Sequence, residues 1–304
     1  MKKILSVSVG STTRDHTVQV ELAGQLCELS RKGTNADFAK ALELYREYDG
    51  KVDAFGVGGI EFYLELGKRK YYFREAKKIR KVVKYSKIGD GNGIKTLVAQ
   101  RAFKALEEYL QGQGRTLKGL KGLKTQAVER YGMAKAMFDT GMDVTIGDFM
   151  FALGLPIPVH RLSTLHTLGA ILLPFLVQMP FTWFYPLGEQ QDEEPITRWD
   201  KYYNEADVIA GDFLQIRQYM PQDLTGKIIV TNTTTASNVQ MLKERRLNIL
   251  VTTTPRLEGR SFGTNVMEAT LRALMEKPDP EITQQDFQTM MDAIPLKPNI
   301  EVLN

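Results

Sequence analysis

Residues 123–148, LKTQAVERYGMAKAMFDTGMDVTIGD, read as a strand, a turn, a helix and a second strand, the opening unit of a Rossmann-like parallel sheet. In the usual G-x-G-x-x-G turn the first glycine makes the bend, the second admits a pyrophosphate and the third lets helix and strand pack closely. Here those places fall on Ala127, Glu129 and Gly132. Only the third glycine survives, and the carboxylate of Glu129 is expected at or near the space a pyrophosphate would fill, where like charges repel. The rest of the unit is complete: Met133–Thr140 reads as a helix, Gly141 as its C-cap, and Val144–Gly147 as a buried strand ending in Asp148. Asp148 lies about 20 residues beyond the start of the turn, where an acidic residue commonly holds a ribose. A plain β-α-β unit that binds nothing is the competing reading.

Downstream, strands at Ala206–Gly211, Lys227–Thr231 and Asn248–Thr253 alternate with helices at Ile216–Met220, Ala236–Arg245 and Gly263–Met275. That alternation predicts a parallel sheet with its ligand crevice beyond the carboxyl ends of the strands. The residues expected there are Glu129, Arg130, Tyr131, Gly132, Asp148, Asp212, Asn232, Thr233 and Thr254 for a cofactor, and Ser261, Thr264 and Asn265 for a ligand. Three carboxylates could meet a hard cation or a cationic ligand. They could equally cap helices or bridge to Arg130, Arg217 or Arg260, and no metal is assigned. The strand ends TNTTT and VTTTP supply neutral donors and acceptors suited to a polar small molecule.

Upstream the chain reads as an α/β domain with antiparallel hairpins. Ile4–Val9 and Val52–Val57 are strands, Thr17–Leu22 with Gln25–Leu29 and Phe62–Leu66 with Lys70–Phe73 are hairpins, and Asp37–Tyr48 is a helix. This order resembles the start of the actin and sugar-kinase fold, with Ser8–Thr13 in the phosphate-binding place, although the first strand lacks the acidic residue expected there. From Arg74 to Lys84 basic residues recur at helical spacing, either a solvated face or a polyanion site. No aromatics interleave with them, and no nucleic-acid partner is assigned. Gly89–Thr96, GDGNGIKT, opens a helix and could bind an anion at its amides beside Lys95, or act as a hinge. The expected organisation is residues 1–115, then a Rossmann-like domain over 120–278 with an apolar helical insertion at about 160–190, then a tail over 279–304 with a short helix around Gln284–Ala293.

The 304 residues carry a net charge of +4, too mild to imply a polyanionic partner. A lone cysteine, Cys27, excludes an internal disulfide and a thiolate zinc cluster, so a reducing cytoplasm is the expected setting. Leu168–Leu187 is almost uncharged, yet Pro174, Pro180 and Pro186 oppose one straight helix. A buried helical hairpin or a homo-oligomer interface is expected there rather than a membrane span, with a peripheral membrane contact as the remaining option.

The stretches RYGMAKA, GDFMFALGLPIP, ADVIAGDFLQIRQYMP, TNTTTASNV, LVTTTP and GRSFGTNVMEA resemble a bacterial family labelled quinate 5-dehydrogenase. The resemblance implies hydride transfer between NAD or NADP and a polyhydroxylated cyclic acid such as quinate or shikimate. Under it Lys95 would move the proton, with Asp90 as its partner. The glycine-rich cofactor turn of the shikimate and quinate dehydrogenases is replaced here by A-x-E-x-x-G. The alternative is a non-redox metabolite-binding, regulatory or assembly protein on a degenerate Rossmann fold.

Overall fold

Strand β1 (Lys2–Ser8) runs parallel to β3 (Gln25–Gly33) on one side and β4 (Ala54–Gly58) on the other, the nucleus of the first of two sheets in this computed structural model. The structure describes all residues except 68, 180–196, 258–259, 262 and 295, and the side chains of 197, 256, 257, 260 and 261 are likewise outside the description. β2 (His16–Leu22) pairs antiparallel with β3 across Ala23 and Gly24, both at positive φ, which is the hairpin expected from the sequence. The helix α1 (Phe38–Tyr48) is N-capped by Asp37, whose side chain accepts the Lys40 amide. It is followed by β4, the hairpin β5 (Tyr63–Leu66) and β6 (Arg69–Tyr72), and α2 (Arg74–Val82). The short strand β7 (Lys87–Gly89) completes the sheet order β2-β3-β1-β4-β7.

Helix α3 (Lys95–Gln111) carries the chain to the second sheet. There β8 (Lys121–Lys124), α4 (Tyr131–Asp139), β9 (Asp143–Ile146), α5 (Asp148–Leu153) and α6 (Leu162–Leu176) follow in turn. Then come α7 (Asp200–Glu205), β10 (Val208–Gly211), α8 (Phe213–Tyr219), β11 (Ile228–Thr231), α9 (Ala236–Glu244) and β12 (Ile249–Thr252). With the last strand of the chain, β15 (Asn299–Val302), the order is β15-β12-β11-β10-β8-β9, parallel except for β15. The strands alternate their faces: Ile209, Ile229 and Leu250 pack under α7 to α9, while Val208, Ala210, Val230 and Val251 face a core shared with α3 and α4. Burial on both faces explains why these strands read as continuous apolar runs.

After the short pair β13 (Arg256–Leu257) and β14 (Arg260–Ser261), the chain returns to the first lobe. Helix α10 (Thr264–Leu274) packs against β1, β4 and β7, and α11 (Gln284–Ala293) packs on α10, burying Val266, Met267, Leu271, Phe287 and Met291 with Ile4 and Ala54. Lys87 ties β7 to the end of α10, its Nζ donating to the carbonyls of Arg272 (2.8 Å) and Met275 (2.5 Å). The chain then crosses once more, and β15 (Asn299–Val302) pairs antiparallel with β12. Residues 279–304, expected as a tail with a short helix around Gln284–Ala293, supply that helix to one lobe and a sheet edge to the other. The prolines around this stretch hid only the strand.

Within the apolar segment, α6 contains Pro174 close to its end, and Leu165, Gly169 and Leu173 form its buried face. Residues 180–187 of the expected hairpin lie outside the described residues. Among the described residues no helix is long and apolar enough to cross a membrane.

Candidate functional site

Both parallel sheets reverse direction of winding beside their first strand, between β1 and β4 in one lobe and between β8 and β10 in the other. Such switch points open a crevice at the carboxyl ends of the strands, and here the two crevices face each other. They merge into one cleft of about 480 Å³ between the lobes. Its first-lobe wall includes Ser6, Ser8, Ser11, Arg31, Glu61 and Asn265, and its second-lobe wall includes Asp212, Asn232, Thr233, Thr235 and Asn238.

The turn at 125–130 does not present free amides to this cleft. Asp148, first residue of α5, accepts the Ala127 amide at 2.7 Å through Oδ2 and the Val128 amide at 2.9 Å through Oδ1. The N–H groups that would grip a pyrophosphate are therefore held by the protein's own carboxylate. Asp148 is not free to hold a ribose. Burial pushes its pKa up, while the two amide bonds oppose that rise. Gly132 keeps the close-packing role of the third glycine but serves a helix pair, since a Cβ there would lie 2.8 Å from Thr96 Cα on α3.

The same substitution of an internal carboxylate for an external anion occurs at Gly89–Thr96. Glu268, 1% exposed on α10, accepts the amides of Gly91 (2.7 Å) and Gly93 (3.1 Å) through Oε2. Its Oε1 takes the Arg272 guanidinium at 2.7 Å. A carboxylate is already seated where an anion was expected. Asp90 is not the partner of Lys95 either: its Oδ2 accepts the Phe62 amide and the Asn92 side chain, each at 2.6 Å.

Lys95 instead spans the floor of the cleft between Glu61 of the first lobe and Glu129 of the second, 3.1 Å from Glu129 Oε1. Glu129 Oε2 meets Arg130 Nε at 3.0 Å, Arg130 Nη2 donates to Asp212 Oδ2 at 3.1 Å, and Asn232 Nδ2 donates to the same oxygen at 2.6 Å. Asp212 also N-caps α8 through the Leu214 amide. Burial alone would lower the Lys95 pKa, but Glu129 and Glu61 outweigh it and raise it, so Lys95 stays an ammonium. A proton-transfer lysine needs the opposite shift. Burial would raise Glu129 as well, yet Arg130 and Lys95 hold it well below the carboxylate range. Glu61 goes the other way. Burial raises it well above its ordinary value despite Lys95, and the neighbouring Glu129 charge adds to the rise. The floor therefore sets two cations, Lys95 and Arg130, among the carboxyl groups of Glu61, Glu129 and Asp212, with Glu61 and Glu129 shifted in opposite directions.

Of the remaining expected residues, Asn232, Thr233, Thr264 and Asn265 line the cleft, and Asn265 Nδ2 donates to Ser6 Oγ at 2.8 Å. Thr254 is buried and donates to the Asn232 carbonyl at 3.3 Å, a brace for the wall. Tyr131 turns toward α6, where its hydroxyl lies 2.8 Å from His166 Nε2. Ser261 belongs to β14, and its side chain lies outside the described residues. Glu61 was missed, although it follows a strand end and the pair Gly58-Gly59, a place that in a parallel sheet faces the crevice. Among the described residues no group of three His, Cys, Asp or Glu is placed to hold a metal ion.

Two family models match the chain, "Domain of unknown function (DUF8753)" over residues 3–90 and "Domain of unknown function (DUF8754)" over residues 93–303. The chain belongs to the DUF8754 family. No curated protein matches it. Its similar solved structures include a galactofuranose binding protein, at 9% identity and TM-score 0.37, covering 100% of this chain and 95% of that one. The periplasmic binding protein of the arabinose transporter from Shewanella sp. ANA-3, bound to arabinofuranose, is similar at 9% identity and TM-score 0.37, covering 96% and 95%. A solute binding protein from Actinobacillus succinogenes 130z with bound D-allose is similar at 11% identity and TM-score 0.36, covering 91% and 92%. Likeness at this level carries no argument about what this chain binds. These findings overturn the resemblance to quinate 5-dehydrogenases and, with it, the NAD(P)-dependent oxidoreductase reading. The matching families are of unknown function, and these structural neighbours are sugar-binding proteins rather than dehydrogenases. The cytoplasmic expectation is withdrawn too: a single buried cysteine says nothing of the compartment, and two of the similar structures are described as periplasmic proteins.

Proposed function

We propose that this chain binds a small, polyhydroxylated metabolite in the cleft between its lobes, without redox chemistry. The observation that carries the reading is the cleft itself, where the carboxyl ends of both parallel sheets meet around about 480 Å³ of space. Its walls are rich in Ser, Thr and Asn, and three of its cations are already met by carboxylates. Arg31 pairs with Asp15 at 2.6 Å, Lys95 with Glu61 and Glu129, and Arg130 with Glu129 and Asp212. Neutral hydroxyl and amide groups thus do the reading, which suits hydroxyls on the ligand better than a strong anion.

A thermal-shift and calorimetric screen of sugars, polyols and cyclic polyols tests this reading. A true ligand at a hundred times its Kd stabilises the fold by about 2.7 kcal/mol. Asn265→Ala and Asn232→Ala should each weaken that binding. Finding no stabilising compound in such a panel, or binding that survives both substitutions unchanged, would sink the proposal.

A further inference from the structure

Residues 68–87 hold ten Lys and Arg against one carboxylate, Glu75, in a chain whose total charge is only +4. The remainder of the molecule is therefore net acidic, and the positive charge is concentrated on β6 and α2. Within α2, Arg74, Lys77, Lys78 and Lys81 stand at i, i+3, i+4 and i+7 and are all exposed, while Ala76 and Ile79 turn into the core. Arg69 and Lys70 are exposed on the adjoining strand. Among the described residues Arg69, Arg74, Lys77, Lys81 and Lys84 form no ion pair, and none of this stripe lines the cleft.

The stripe works against the helix that bears it. Arg74 with Lys78, and Lys77 with Lys81, are like charges one turn apart, and Arg74 sits at the positive end of the helix dipole. Phe73 gives no side-chain cap there. Tertiary burial of Ala76 and Ile79 holds the helix in place, with Lys78 over the Phe38 ring and Arg80 over the Phe62 ring, while Arg74, Lys77 and Lys81 have no such partner among the described residues.

Exposed amphipathic and apolar groups stand beside α2 in the chain and on the helix that packs on the β5–β6 hairpin. Tyr72 and Tyr85 flank α2, 51% and 83% exposed. Helix α6 packs on the tip of the β5–β6 hairpin, Gly169 against Leu66 and His166 against Gly67, and leaves Ile171 and Phe175 60% and 73% exposed. We propose that this face docks on an anionic lipid surface. Clustered cations gain from the negative potential of such a surface, and exposed tyrosines and aliphatic groups suit the headgroup boundary. A nucleic acid is less well served, because no aromatic platform interleaves with the cations of α2 and no groove tracks a backbone.

Vesicle co-sedimentation of the full chain tests the docking. At about 0.15 M salt the protein should sediment with phosphatidylserine-containing vesicles and not with pure phosphatidylcholine, and binding should fall as salt rises. The triple variant Arg74→Glu, Lys77→Glu, Lys81→Glu should bind anionic vesicles about a hundredfold more weakly. A variant with equal charge change elsewhere, Lys104→Glu, Lys135→Glu, Lys201→Glu, should bind almost as the unaltered protein does. Circular dichroism and Tm establish that each variant is folded. Absence of binding to anionic vesicles, equal loss in both variants, or tighter binding of a single-stranded or duplex oligonucleotide than of the vesicles would overturn the proposal.

Discussion

Asp148 holds the Ala127 amide at 2.7 Å, so the carboxylate at the start of α5 closes the turn that a dinucleotide would otherwise enter. The Val128 amide goes to the other oxygen of the same group. Removing the charge of Glu129 therefore leaves the turn occupied. The Glu129→Gly variant should gain no affinity for a dinucleotide in calorimetry. A clear gain would show that Glu129, not Asp148, is what excludes it.

Asp148→Ala should destabilise the fold by about 1–3 kcal/mol per amide left unsatisfied, read from the urea midpoint. A change within experimental error would mean that water or a neighbour replaces the carboxylate.

Glu61 and Glu129 share Lys95 but are shifted in opposite directions. Glu129 is held low by Arg130 and Lys95 against the pull of burial, and burial raises Glu61. Glu61→Gln removes a charge that burial already disfavours and should cost less than the loss of the Glu129 charge. Glu129→Gln leaves buried cations uncompensated and should cost about 3–5 kcal/mol. Equal costs in urea unfolding would contradict the opposite shifts of the two groups.

Lys124, fully buried at the end of β8, donates to the Gln126 carbonyl at 2.5 Å, and burial pushes its pKa down to about 8. Below that pH the lysine is charged both folded and unfolded, and the fold bears the whole cost of burying it. Between about pH 8 and the ordinary lysine value the unfolded chain binds more protons, so stability rises with pH, by about 3 kcal/mol in all. Lys124→Met should be more stable than the unaltered protein at pH 7 and should lose this rise. A variant that is less stable at pH 7 would contradict the account.

Much of the fold was legible because its signals are local. Ile228–Thr231 and Ile249–Thr252 are short apolar runs that bury both faces, and Ala23-Gly24 marks a hairpin turn. The placing of α10 and β15 was not legible, since nothing in the run Thr264–Leu274 says which sheet it will cover. At the site, Asn232, Thr233, Thr264 and Asn265 could be placed in the cleft from their positions at strand and helix ends. The partners of the glycine turns could not. Asp148 reaches back 21 residues to Ala127, and Glu268 reaches 177 residues to Gly91. Only the folded chain shows that each anion-binding turn is filled from within.

The most direct measurement is calorimetric titration of the full chain with the best stabiliser from the hydroxylated-metabolite panel, repeated on Asn265→Ala. The account predicts one-to-one binding that the variant weakens by about tenfold or more, the loss of one buried hydrogen bond. Binding that the variant leaves unchanged would contradict it, as would a chain that binds no member of the panel.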